Sequence, residues 1–81
     1  MPKARVLSGG DVLKILWGFG FQEIARRGSH IKMRRVLADG QRQTLTVPNH
    51  DEIDRGTLHA IYRQACRFLS ESELRAKLFK D

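Results

Sequence analysis

The chain has 81 residues, room for one hydrophobic core, and its 41% hydrophobic and 30% charged content is that of a folded domain rather than a disordered chain. Lysine and arginine total 15 against 9 acidic residues, a formal charge of +6 that favours a polyanionic partner, nucleic acid first and an anionic membrane surface second. The single cysteine, Cys66, excludes an internal disulfide and a cysteine-rich metal site, and no apolar run approaches the length of a membrane span.

Residues 1–7 read as a basic, loosely held lead-in, and residues 8–81 as one domain. The opening Met-Pro-Lys-Ala-Arg has no apolar run of signal length, so the expected compartment is the cytoplasm. Ser8 and Asp11 have the spacing of a capping box at the start of a helix. Val12, Leu13, Leu16 and Trp17 follow at helical spacing as one apolar face, which Gly18 and Gly20 end. Trp17, Phe19 and Phe21 are spaced as core aromatics.

The period then changes. Phe21 to Arg27 reads as a short strand, Arg27-Gly28-Ser29 as a tight turn, and His30 to Leu37 as a second strand. Asp39-Gly40 is a hairpin signal, because both residues tolerate positive φ. Thr44 to Val47 is a third strand, stopped by Pro48. A polar connection leads to Asp54, the expected N-cap of a helix with Leu58, Ile61, Tyr62, Ala65 and Leu69 on one side. Cys66 falls beside that stripe as a small core residue. Ser70 to Glu73 has capping-box spacing and opens a last helix over 71–80 with Leu74, Leu78 and Phe79.

The fold class is therefore α+β: α-β-β-β-α with a three-stranded antiparallel sheet and an extra short C-terminal helix. Helices on one side of such a sheet leave its other side open. If Ile31 and Met33 face the helices, His30, Lys32 and Arg34 face away, and Leu45 and Val47 are buried while Thr44 and Thr46 are exposed. The first strand is ambiguous, with Phe21 and Ala25 on one side and Ile24 and Arg26 on the other.

Gly20-Phe21, Gly28-Ser29-His30, Val47-Pro48-Asn49-His50, Gly56-Thr57-Leu58, Ile61 and Gln64-Ala65 occur in that order. With these motifs the chain resembles the HicA (YcfA-like) toxins, the small mRNA-cleaving halves of HicAB toxin–antitoxin systems, from about Ser8 to Phe79. The resemblance implies a fold like the double-stranded-RNA-binding domain, which matches the element order read from the residues. It also implies RNA cleavage by the histidine after Gly-Ser, here His30, and a HicB-type antitoxin as partner. Relatives often carry arginine where this chain has Ala25. Arg26 and Arg27 follow here instead, which leaves open the cation that meets the phosphate.

A histidine side chain can both take and give a proton, so His30 suits proton transfer. It can take the proton of a ribose 2′-hydroxyl or protonate the leaving 5′-oxygen. Arg26, Arg27, Lys32 and Arg34 are candidates for neutralising phosphates, with Gly28 and Ser29 either meeting phosphate or only shaping the turn. His50 reads as a loop or helix cap, with a second proton carrier as the alternative, and His59 as surface. A metal site from His30, His50 and Asp51 lacks ligand spacing, so neither metal nor cofactor is expected. The leading expectation is a metal-independent endoribonuclease acting on mRNA, its antitoxin covering the His30 face with acidic groups. The alternatives are a non-catalytic RNA-binding module and an adaptor that docks partners through its C-terminal helix.

Overall fold

The computed structural model describes residues 3–4 and 6–80. Residues 1, 2 and 5 of the expected lead-in, and Asp81 at the far end, lie outside the described residues. A two-residue strand β1 (Lys3–Ala4) precedes helix α1 (Gly9–Gly18), and strands β2 (Gln22–Arg27), β3 (His30–Val36) and β4 (Arg42–Pro48) follow. Helices α2 (Arg55–Ala65) and α3 (Glu71–Leu78) and a short strand β5 (Phe79–Lys80) complete the chain. The three long strands form one antiparallel sheet in the order β2-β3-β4. This is the expected α+β arrangement with its added C-terminal helix.

The helix boundaries are chemical. Ser8 accepts a hydrogen bond from the Asp11 main chain while the Asp11 carboxylate accepts from Ser8 N–H, which closes the capping box. At the other end of α1 Gly20 takes φ +96° and donates to Trp17 O, and Phe21 N–H donates to Leu16 O. This paired closure needs a left-handed residue, and glycine adopts that conformation without a Cβ clash. Asp54 caps α2 through Thr57 N–H, and Ser70 caps α3 through Glu73 N–H. Ser8 and Thr57 hydrogen bonds hold the Asp11 and Asp54 carboxyls below the usual carboxylate range. Both therefore support folding above the unfolded carboxyl value of about 4, and that support is lost as pH falls through their lower folded values.

One apolar layer joins the sheet to the helices. Ile31, Met33, Leu45 and Val47 are buried from the sheet, against Val12 and Leu16 of α1 and Leu58, Ile61 and Ala65 of α2. Phe21 is fully buried, but Trp17 is 67% exposed, contrary to the expected core position. Successive helix residues are about 100° apart, so a helix seated through Val12 and Leu16 turns Trp17 out at its edge. Phe19 is only partly buried.

The two ends of the chain are tied together, where sequence gave no strand signal for either. β1 pairs antiparallel with β5, so Lys3 and Ala4 are not a loose lead-in. The last helix stops at Leu78, two residues early, because Phe79 turns to extended backbone. Phe79 is buried, with its ring 4.7 Å from His59 and edge-on to Tyr62 at 5.2 Å. His59 is accordingly a packing residue rather than plain surface.

One part-buried cation on the helix side of the sheet ties it to the helices. Arg35 donates to Gln43 Oε1 at 2.9 and 2.6 Å, to Phe19 O at 3.1 Å and to Phe68 O at 3.2 Å. Its guanidinium stands 5.1 Å from the centre of the Phe21 ring. Gln43 is a buried polar side chain, and Arg35 satisfies it. One planar fork thus joins the end of α1, two strands and the segment after α2. Arg35→Ala should cost about 2–3 kcal/mol, because it strands a buried amide oxygen and two carbonyls. For a domain of this size that corresponds to a melting temperature lower by about 10–20 °C. With both variants measured by urea unfolding, exposed Arg63→Ala should change stability by under about 0.5 kcal/mol.

Candidate nucleic-acid interface

The site begins with the alternation of β3. Because Ile31 and Met33 are drawn into the core, His30, Lys32 and Arg34 stand on the side of the sheet away from the helices. The strand register then fixes their neighbours. Arg27, His30 and Pro48 form one cross-strand rung, and Ala25, Lys32 and Thr46 the next. Gln22, Arg34 and Thr44 form a third, and Val36 with Arg42 a fourth. None of these open-face positions carries a carboxylate.

The ambiguity in the first strand is resolved by a β-bulge. The pairing of β2 with β3 slips between Glu23 and Ala25, so Ile24 is an extra residue. That insertion breaks the period of two. Glu23 and Arg26 consequently share the helix-side face, opposite Met33 and Ile31, while Ala25 and Arg27 share the open face with His30. Arg26 donates to both Glu23 carboxylate oxygens, at 3.0 and 3.2 Å. This hydrogen-bonded pairing lowers the Glu23 carboxyl and raises the Arg26 guanidinium from their ordinary pKa values. Of the two adjacent arginines grouped in sequence as phosphate candidates, only Arg27 stands with His30.

The turn that delivers His30 is short. Gly28 takes φ +58° and Ser29 stays at negative φ, the pattern of a two-residue hairpin with glycine first. The turn residues are Gly28 and Ser29 alone, with Arg27 the last residue of β2. Asn49 N–H donates to Ser29 O at 2.6 Å, so the chain leaving β4 braces the turn. Gly9 N–H in turn donates to His50 O at 2.7 Å. A Cβ on Gly9 would collide with Pro48 O and come within 2.8 Å of Asn49 Cα, so only glycine lets α1 approach this segment. The Val-Pro-Asn-His motif therefore anchors the turn through its main chain, and the His50 carbonyl helps cap α1.

His30 is exposed, and neither of its ring nitrogens is hydrogen-bonded within the described residues. Ala25, Arg27, His30, Lys32 and Thr46 line a shallow hollow of about 250 Å³. Arg34 stands one rung further on, its Nε 3.5 Å from Thr44 Oγ1. Among the described residues the only ion pair is Arg26 with Glu23, so Arg27, Lys32 and Arg34 have no acidic partner. The hollow thus brings one proton-transfer group, two cations and a hydroxyl together around space open to solvent. Such an arrangement can seat an anion and move a proton beside it.

Sequence reading brought in Arg26, which lies on the other face, and missed Thr46 and Arg42. Thr46 was expected to be exposed, but its neighbours follow only from the register of β3 with β4. Among the described residues no cluster of three histidine, cysteine or acidic side chains is placed to hold a metal, and no helix is long and apolar enough to cross a membrane.

Comparison with known families adds an independent finding. The model of the family described as the HicA toxin of bacterial toxin–antitoxin systems matches residues 9–65 of the 81-residue chain. A search of curated proteins returned no match. The matched span runs from the first residue of α1 to the last of α2 and includes the Gly28-Ser29-His30 turn, the open-face strands and the brace after β4. The chain therefore belongs to the HicA toxin family, the toxin half of bacterial toxin–antitoxin systems.

Proposed function

We propose that this toxin is a metal-independent endoribonuclease that cleaves mRNA in the cytoplasm with His30 as its acid/base. The observation that carries the reading is the hollow in which an unbonded imidazole lies among Arg27, Lys32 and Thr46 with no acidic neighbour. In this reaction His30 takes the proton of a ribose 2′-hydroxyl. The freed oxygen attacks the adjacent phosphorus, the new oxygen–phosphorus bond forms, and the bond to the leaving 5′-oxygen breaks. Water supplies the proton that the 5′-oxygen needs. The products are a 2′,3′-cyclic phosphate and a 5′-hydroxyl.

Arg27 and Lys32 bind the phosphate and balance the charge that grows on its oxygens, while Arg34 holds a neighbouring phosphate. Gly28 and Ser29 set the close approach of the turn. Arg26 serves the edge of β2 through Glu23 and takes no phosphate. With a single histidine, catalysis stays modest, since one general acid–base group contributes about 10²–10⁴-fold. The catalytic unit extends beyond the matched span, because Leu74, Leu78 and Phe79 belong to the same core. A HicB-type antitoxin inhibits by laying acidic groups over the His30 face, so that antitoxin and RNA exclude one another.

His30→Ala should reduce cleavage of a defined transcript by about 10²–10⁴-fold while RNA affinity changes by no more than a few-fold. The same fold without catalysis would be a plain RNA-binding module; wild-type protein that binds RNA without cutting it would establish that alternative. Phosphate contacts also make binding salt-dependent. For the three cations nearest His30, log affinity against log salt should have a slope of about −2. A flat salt response would remove phosphate from the account.

A further inference from the structure

The hollow around His30 occupies one end of the open face, and the other end has the same character. β4 begins at Arg42, ahead of the Thr44 at which strand propensity starts, and the register sets Arg42 opposite Val36 on the open side. Arg42 is exposed and has no acidic partner among the described residues. From turn to far edge, each of the four rungs therefore carries one cation: Arg27, Lys32, Arg34 and Arg42. Like charges on neighbouring strands repel, and a fold gains nothing by collecting them on one face unless a polyanion relieves the repulsion.

We infer that Arg42 is a remote phosphate anchor, so that a single RNA strand occupies the open face from end to end. This rests on the phosphate-binding half of the proposed function and adds a substrate-length requirement to it. His30 and Val36 are six residues apart on β3, about 20 Å at strand rise. That distance is spanned by about six stacked nucleotides at about 3.4 Å each. A strand shorter than that fills the hollow without reaching Arg42. Exposed Val36, at 60% accessibility, gives the same rung an apolar surface beside the guanidinium.

The test measures binding by fluorescence anisotropy of a trinucleotide and a dodecanucleotide made wholly with 2′-deoxyribose, which lack the attacking hydroxyl and stay intact. Arg42→Gln should weaken the dodecanucleotide by about five-fold or more and make its salt slope shallower by about 0.7. Its trinucleotide affinity should equal that of the wild type, and Arg42→Lys should restore most of the dodecanucleotide affinity. Equal weakening at both lengths, or no weakening of the dodecanucleotide, overturns the anchor. Wild-type cleavage of an RNA dodecamer is measured in parallel. Arg42-dependent binding without cleavage would leave the anchor standing and remove the nuclease. Cleavage with Arg42-independent binding would do the reverse.

Discussion

The burial of Ile31 and Met33 on β3, in one layer with Leu45 and Val47 on β4, is the constraint from which the site follows. Side chains alternate along a strand, so burying these four commits the residues between them to the opposite side. A slip of one residue would exchange the two faces. The register is held at both ends of β3: by Gly28, Ser29 and the Asn49 bond at one, and by the Gly40 turn at the other, where Leu37 N–H donates to Gln41 O. Packing energy, not any interaction of the cations with one another, is what exposes His30, Lys32 and Arg34.

The basic residues of the three-stranded sheet divide into two kinds that composition cannot separate. Arg26 and Arg35 lie on the helix side and are consumed by the fold, one by Glu23 and the other by Gln43 and two carbonyls. Arg27, Lys32, Arg34 and Arg42 lie on the open side without acidic partners among the described residues. Membership of the HicA toxin family gives that second set a context, since a toxin must meet both its target and its antitoxin. Among the described residues nothing packs over this cationic face of the sheet, and the proposed function has both of them meet it there.

Much of this was legible in the sequence, because the signals were local. The caps at Ser8, Asp54 and Ser70 stand where their hydroxyls and carboxylate can reach main-chain N–H groups, and the alternation of β3 and β4 reads directly as inside and outside. The Asp39-Gly40 hairpin formed with only Gly40 at positive φ, while the Asp39 side chain accepts from Gln41 N–H. What escaped was non-local. A bulge at Ile24 has no sequence signature of its own, yet it puts Glu23 on the same face as Arg26, while the two-residue turn sets Arg27 beside His30. Trp17 fits the helical period but falls just beyond the arc that α1 buries. Two-residue strands such as β1 and β5 are too short for any pattern, and Arg42 was lost because arginine carries no strand propensity.

The central claim is that RNA lies on the open face around His30 and not on the helices. The three histidines report on it separately: His30 on that face, His50 beside the start of α1, and His59 against Phe79. The direct measurement is the ring-proton NMR signals of all three during titration with an uncleavable 2′-deoxy dodecanucleotide. The account predicts a progressive shift of the His30 ring, reversed by salt, with the His59 ring unmoved. A His30 ring that stays fixed while His59 or His50 moves would place the nucleic acid on the helical side and contradict it.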